Sequence, residues 1–148
     1  MLELTKNGSV WKEYFRIYNI NSIIPNMKID KKLLDELSVQ ANESPRLRMH
    51  FDLRDSDCDT SQRILNAVEI GTVMPIHCHK NSSETIIVIR GSIKEFYYNE
   101  NYEVIETIEL NANGPIFGLS IPKNQLHNFE VIEPNTVIIS FKNGKYEK

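Results

Sequence analysis

The sequence predicts a mainly β protein, a sandwich or barrel of short strands with one short helix ahead of it. Three observations carry this. From Arg46 onward the apolar residues recur with a period of two. The runs are short, evenly spaced and separated by turn residues. Helical periodicity occurs once, before them, at Leu33, Leu34, Leu37 and Ala41.

Residues 1–29 are read as an N-terminal strand or arm laid on another subunit. Val10–Tyr18 is rich in β-formers, and Pro25 ends the stretch. Residues 30–148 are read as one domain. Asp30 is a suitable N-cap for a helix over 30–43, which Ser44-Pro45 stops. The barrel occupies 46–143, with strands expected at 46–54, 62–70, 84–90, 92–99, 102–110, 115–121, 126–132 and 136–142. Gly91-Ser92, Asn99-Glu100-Asn101, Asn111–Gly114, Lys123-Asn124-Gln125 and Glu133-Pro134-Asn135 turn the chain between the later ones. Thr85–Ile89 and Val137–Phe141 are apolar on both faces, so a second layer must cover the outer one. That layer is the helix or a neighbouring subunit, and the expectation leans to a homodimer.

A length of 148 residues fits one domain. A net charge of −3 without any long run of one sign speaks against nucleic acid or an anionic membrane as partner. Leu2–Lys6 has no apolar core of a signal peptide, and no run of about 18 apolar residues exists, so a cytoplasmic location is expected. Cys58 and Cys78 are isolated and form no disulfide framework.

The chemistry concentrates between Gly71 and Gly91. His77 and His79, two apart on extended chain, point to one face. Glu84 opens the next strand past a polar turn and can project to the same side. Two imidazoles and a carboxylate form most of a divalent-metal site, and His127 is the candidate fourth ligand. Cys78, between the histidines, faces the other way and is read as a small packed hydrophobe. The bland alternative is a set of residues hydrogen-bonded to one another around no ion.

The spacing Gly-x5-His-x-His-x4-Glu-x6-Gly, filled by Gly71, His77, His79, Glu84 and Gly91, resembles the first motif of the cupin superfamily. The second cupin motif is matched in part. Pro122 and His127 keep its spacing, Asn124 stands for its middle Gly, Val131 for its final Asn, and the nearest leading Gly is Gly118. Asn tolerates the left-handed conformation, so the turn can survive the exchange. From about Asp30 to Tyr146 the order of parts resembles the WbuC family of cupin-fold metalloproteins. Those parts are the helix, Ser44–His50, Gln62-Arg63, the paired histidines and Lys142–Tyr146. Leu126 and Lys145 depart from the pattern. The resemblance implies a double-stranded β-helix, or jelly-roll, barrel with one bound metal. Some members of that family lie in gene clusters for bacterial surface polysaccharide.

Three imidazoles and a carboxylate suit Zn, Fe, Mn, Ni or Cu, and leave two positions open on a six-coordinate ion. Arg46, Arg48 and His50 share one face by alternation. Arginines at a pocket mouth hold phosphate or carboxylate; as a surface they would instead pair with Asp52, Asp55 or Asp57. Arg46, Arg48, Gln62 and Phe129 are therefore the substrate-binding candidates. His50, the only histidine outside the motifs, is the candidate acid or base. Tyr97 and Tyr98 lie on opposite faces, so one of them can reach inside. The functional expectation is a sugar or nucleotide-sugar isomerase or epimerase, with a dioxygenase or a non-catalytic binding module as alternatives. The expected partner is a small molecule such as a sugar phosphate.

Overall fold

A computed structural model describes residues 27–144. The strand expected within Val10–Tyr18 lies outside the described residues. Helix α1 (Lys31–Glu43) begins where the Asp30 carboxylate accepts the Leu33 amide at 3.0 Å and ends where the Ser44 amide reaches the carbonyls of Gln40 and Ala41.

Eight strands follow: β1 (Arg48–Asp52), β2 (Ser61–Val68), β3 (Glu84–Arg90), β4 (Ser92–Tyr98), β5 (Val104–Asn111), β6 (Gly118–Ile121), β7 (Leu126–Val131) and β8 (Thr136–Asn143). They form two antiparallel sheets, a larger one ordered β1-β2-β8-β3-β6 and a smaller one ordered β5-β4-β7. The ladders do not close into a continuous barrel, and the arrangement is that of a jelly roll. Three strands start later than their sequence pattern implies, β1 among them because Leu47 just before it sits at φ +54°. Pro115 has no amide to give a ladder, and Tyr102 sits at φ +61° inside a turn closed by its amide on the Asn99 carbonyl.

The large sheet is the middle of three layers. On its outer face Leu34, Leu37 and Ala41 of α1 pack with Phe51, Leu65, Ala67, Val137 and Ile139. On its inner face Ile86, Val88, Ile121 and Ile138 meet Ile93 and Leu110 of the small sheet. This resolves why β8 is apolar on both sides: alternate residues serve two cores, and the helix supplies the second cover. Arg90 ties the layers together, its guanidinium donating to the Asp35 carboxylate at 2.6 Å, the Ser38 hydroxyl at 2.7 Å and the Leu34 carbonyl at 2.9 Å. Between β3 and β4 the chain crosses from one sheet to the other at Gly91, whose φ is +78°. A Cβ there would come within 2.9 Å of the Thr136 main chain, so the corner requires glycine.

Candidate metal centre

Residues 71–83 run between β2 and β3 almost without regular structure, where the sequence reading had placed extended chain. They are nonetheless pinned along their length. Thr72 donates its hydroxyl to the Leu47 carbonyl at 2.7 Å, and the Asn128 amide holds the Met74 carbonyl at 3.0 Å. His77 and His127 exchange backbone hydrogen bonds of 3.1 and 2.9 Å, an isolated bridge to β7, and the Asn124 amide donates to the His79 carbonyl. Asn124 has φ +68°, the left-handed conformation expected of the residue standing where glycine would otherwise turn the chain.

That stitching brings His77 and His79 beside Glu84, the first residue of β3, and His127 of β7. One ligand-capable atom from each lies within 4.8 Å of all the others. Glu84 Oε2 is 2.9 Å from His79 Nε2 and 3.5 Å from His127 Nε2. His77 Nδ1 is 2.9 Å from the Pro75 carbonyl, and His127 Nδ1 is 2.8 Å from that of Gln125. A carbonyl only accepts, so both Nδ1 atoms carry the proton and both Nε2 atoms are left with a lone pair when the ring is neutral. Rings oriented in this way by a second partner are the usual preparation for metal ligation. The donor set and its convergence fit a divalent transition-metal ion.

The electrostatics favour a charged carboxylate at Glu84 and a neutral ring at His77, but a protonated ring at His127 while no cation is bound. Burial pushes the Glu84 carboxyl up, but hydrogen bonds from His127 and His79 pull it well below the usual carboxylate range. Burial lowers His77, assisted by the neighbouring imidazoles, which favours the neutral ring that binds metal. Burial also opposes charge on His127, yet the Glu84 hydrogen bond and the Gln125 carbonyl together raise it. The carboxylate therefore remains charged at neutral pH and takes the place of one anionic ligand.

A cavity of about 100 Å³ opens beside this cluster. Arg48, Met74 and Phe129 contribute to its wall, together with Asn66 and Ser140 from the inner face of the large sheet. Arg48 directs Nη1 at Met74 Sδ, 3.5 Å away. Of the other residues singled out in the sequence, Arg46 is exposed in the turn before β1, and His50 is exposed on β1; neither lines the cavity. Gln62 is buried and gives its amide to the Gly144 carbonyl at 2.9 Å, also away from the cavity. Two other arginines of this basic region form ion pairs, Arg54 with Asp52 and Arg63 with Asp59. Tyr97 packs against the inner core, whereas Tyr98 turns its hydroxyl to Asn128.

Among the cavity residues that the sequence did not single out, one is ionisable. Glu95 of β4 is fully buried and lines the same space, with neither carboxyl oxygen hydrogen-bonded among the described residues. The available signal was parity. Ile93, Glu95 and Tyr97 alternate with Lys94, Phe96 and Tyr98, and the lysine marks the outward side.

A family model described as "Domain of unknown function (DUF6016)" matches residues 29–110, a span that contains His77, His79, Glu84 and Glu95 and stops before His127. No curated protein matches the chain. Several solved structures share its fold. KdgF from Halomonas sp. has a TM-score of 0.55 at 16% identity, covering 70% of this chain and 84% of that one. CapF from Staphylococcus aureus, described as a capsular polysaccharide assembling protein, has a TM-score of 0.57 at 20% identity over 70% of this chain. This chain spans only 30% of the length of CapF. The cupin domain of Cnp3 from Schizosaccharomyces pombe has a TM-score of 0.51 at 11% identity, covering 67% of this chain and 65% of that domain. At such identities the likeness concerns the fold alone, and the fold is that of a cupin.

Proposed function

The chain belongs to the family described as Domain of unknown function (DUF6016), and on that footing we propose that it is a metal-dependent cupin acting on a small sugar or nucleotide sugar as an isomerase or epimerase. His77, His79, Glu84 and His127 hold one divalent ion, Zn, Fe, Mn, Ni or Cu. The single observation that carries the reading is the convergence of these four donors within 4.8 Å beside a cavity. When bound, such an ion polarises a carbonyl or hydroxyl oxygen. The chain's own part is to orient the imidazoles through the Pro75 and Gln125 carbonyls and to keep Glu84 charged. Phe129 and Ile138 give the cavity an apolar wall, and Arg48 offers a positive group on it.

A cavity of this size admits only the reacting end of a nucleotide sugar, so the remainder of such a substrate would lie outside it. The carbohydrate class draws support from the resemblance to the WbuC family and from the description of CapF as a capsular polysaccharide assembling protein. Ile87 and Phe141, exposed on the outer face of the large sheet, support a homodimer, which sedimentation would test.

The test begins with elemental analysis of protein purified without a histidine tag. One ion per chain is expected, lost in His77→Ala. Metal-loaded protein is then assayed against nucleotide-linked keto sugars. No turnover in protein that holds its ion would remove the sugar reading and leave the metal reading standing.

A further inference from the structure

Glu95 is the buried acid that the candidate metal centre does not use. It is 0% exposed, on the inner face of β4, opposite Ile108 of β5 and Phe129 of β7 in register. These neighbours offer no polar side-chain atom, and Oε1 and Oε2 make no hydrogen bond among the described residues. Leaving a buried polar group unsatisfied costs roughly 1–3 kcal/mol, so such a group is rare unless something else completes it. Glu95 lines the cavity together with Glu84 and His127. The volume equals about three water molecules at roughly 30 Å³ each.

Two carboxyls thus share one cavity under opposite conditions. Glu84 is held by two imidazoles and stays ionised; Glu95 has apolar neighbours, and burial pushes its carboxyl up to about 8. A carboxylic acid in its protonated form both donates and accepts a hydrogen bond, which suits a ligand oxygen better than a cation.

Resting on the metal reading above, we infer that Glu95 is a specificity-determining residue, whose carboxyl hydrogen-bonds an oxygen of a small ligand carrying adjacent carbonyl and hydroxyl oxygens. Two adjacent oxygens match the two positions that four protein donors leave on a six-coordinate ion. The carboxyl of Glu95 then selects ligands with an acceptor oxygen on its side of the cavity. Ligands that present only a methyl group there leave it unpaired and are disfavoured.

The probe is acetohydroxamate, which carries adjacent carbonyl and hydroxyl oxygens, titrated calorimetrically into the metal-loaded full chain. The same metal is titrated separately into each metal-free variant. Glu95→Leu keeps the volume filled and is expected to bind acetohydroxamate about tenfold more weakly, the loss of one buried hydrogen bond. Glu95→Gln keeps a donor and an acceptor and is expected to restore affinity to within about threefold of wild type. Both variants are expected to keep the wild-type metal affinity. Unchanged acetohydroxamate binding in Glu95→Leu would overturn the inference and leave ordered water as the partner of Glu95. A parallel loss of metal affinity would overturn it in favour of a role toward the ion. A wild-type chain that takes up no divalent ion would overturn both this inference and the metal reading, whereas a chain that loads the ion but ignores residue 95 overturns this inference alone.

Discussion

On the helix side of the large sheet, Leu37, Ala41, Phe51, Leu65 and Val137 meet in a wholly apolar contact. On the opposite side of that sheet, Glu84, Ile86, Val88 and Ile138 face Glu95 and His127 of the small sheet. The first face gains stability from every apolar residue it buries, and its one buried hydroxyl in α1, that of Ser38, is met by Arg90. The second gives some of that stability up to hold ionisable groups in a largely buried space, where their interactions are strengthened and their unmet hydrogen bonds are costly. The difference teaches where to look for function in a fold of this kind. Side chains on the helix face explain why the sheet exists, and those on the cavity face explain what it is for.

The comparison can be broken most severely from the helix side. Leu37 is 2% exposed, and Leu37→Ala should cost about 2–5 kcal/mol in urea unfolding while leaving metal affinity unchanged in the folded fraction. A metal affinity that fell with it would mean that the two faces are not independent.

On the cavity side, Glu84→Gln should lower divalent-ion affinity by at least about 100-fold, since loss of an outer-shell partner alone costs 10–100-fold. Calorimetry that found the affinity unchanged would show that the carboxylate is not a ligand.

Glu95 sharpens the contrast, because its removal should stabilise the metal-free chain. Glu95→Leu replaces an unpartnered buried carboxyl, and a gain of roughly 1–3 kcal/mol at pH 8 is expected. The sign follows from burial, which lifts the carboxyl from 4.5 to about 8. Between those values the folded chain keeps a proton that the unfolded chain has released, so stability falls as pH rises from about 4.5 to about 8. His127, raised as well, adds a fall of the same sign as pH passes its folded value. The difference between wild type and Glu95→Leu across that window therefore isolates Glu95. A difference that did not vary with pH would place its carboxyl in water. Smallest of all, Phe129→Leu should cost less than about 1.5 kcal/mol, because the residue is only partly buried and the exchange keeps an apolar wall. A larger loss by thermal melting would make it a core residue rather than a lining one.

Much of this was legible in the sequence because period-two patterning fixes which side chains face inward once one of them is known. Glu84 facing in placed Ile86 and Val88 with it, and the structure buries both. The spacing of His77, His79 and Glu84 named three of the clustered donors, and His127 followed from a partial second motif. The segment around the histidines resisted the pattern. It is held by Thr72, Asn124 and Asn128 through long-range hydrogen bonds, which leave no periodic trace. Arg46 and His50 show the opposite failure of reach. Alternation assigned them a shared face with Arg48, but the turn at Leu47, with φ +54°, separates Arg46 from the strand, and His50 lies away from the cavity. Glu95 went unremarked because a glutamate in a half-exposed strand reads as solvent-facing until the parity of Ile93 and Tyr97 is weighed against it.

The paired main-chain hydrogen bonds between His77 and His127 carry one more consequence. They lock two donors to each other before any ion arrives, so little ordering remains for the ion to impose on that pair. Uptake should then resemble filling a rigid socket, and these two amides become natural reporters of it. In deuterium exchange they should already be slow in the empty protein and slow little further on loading.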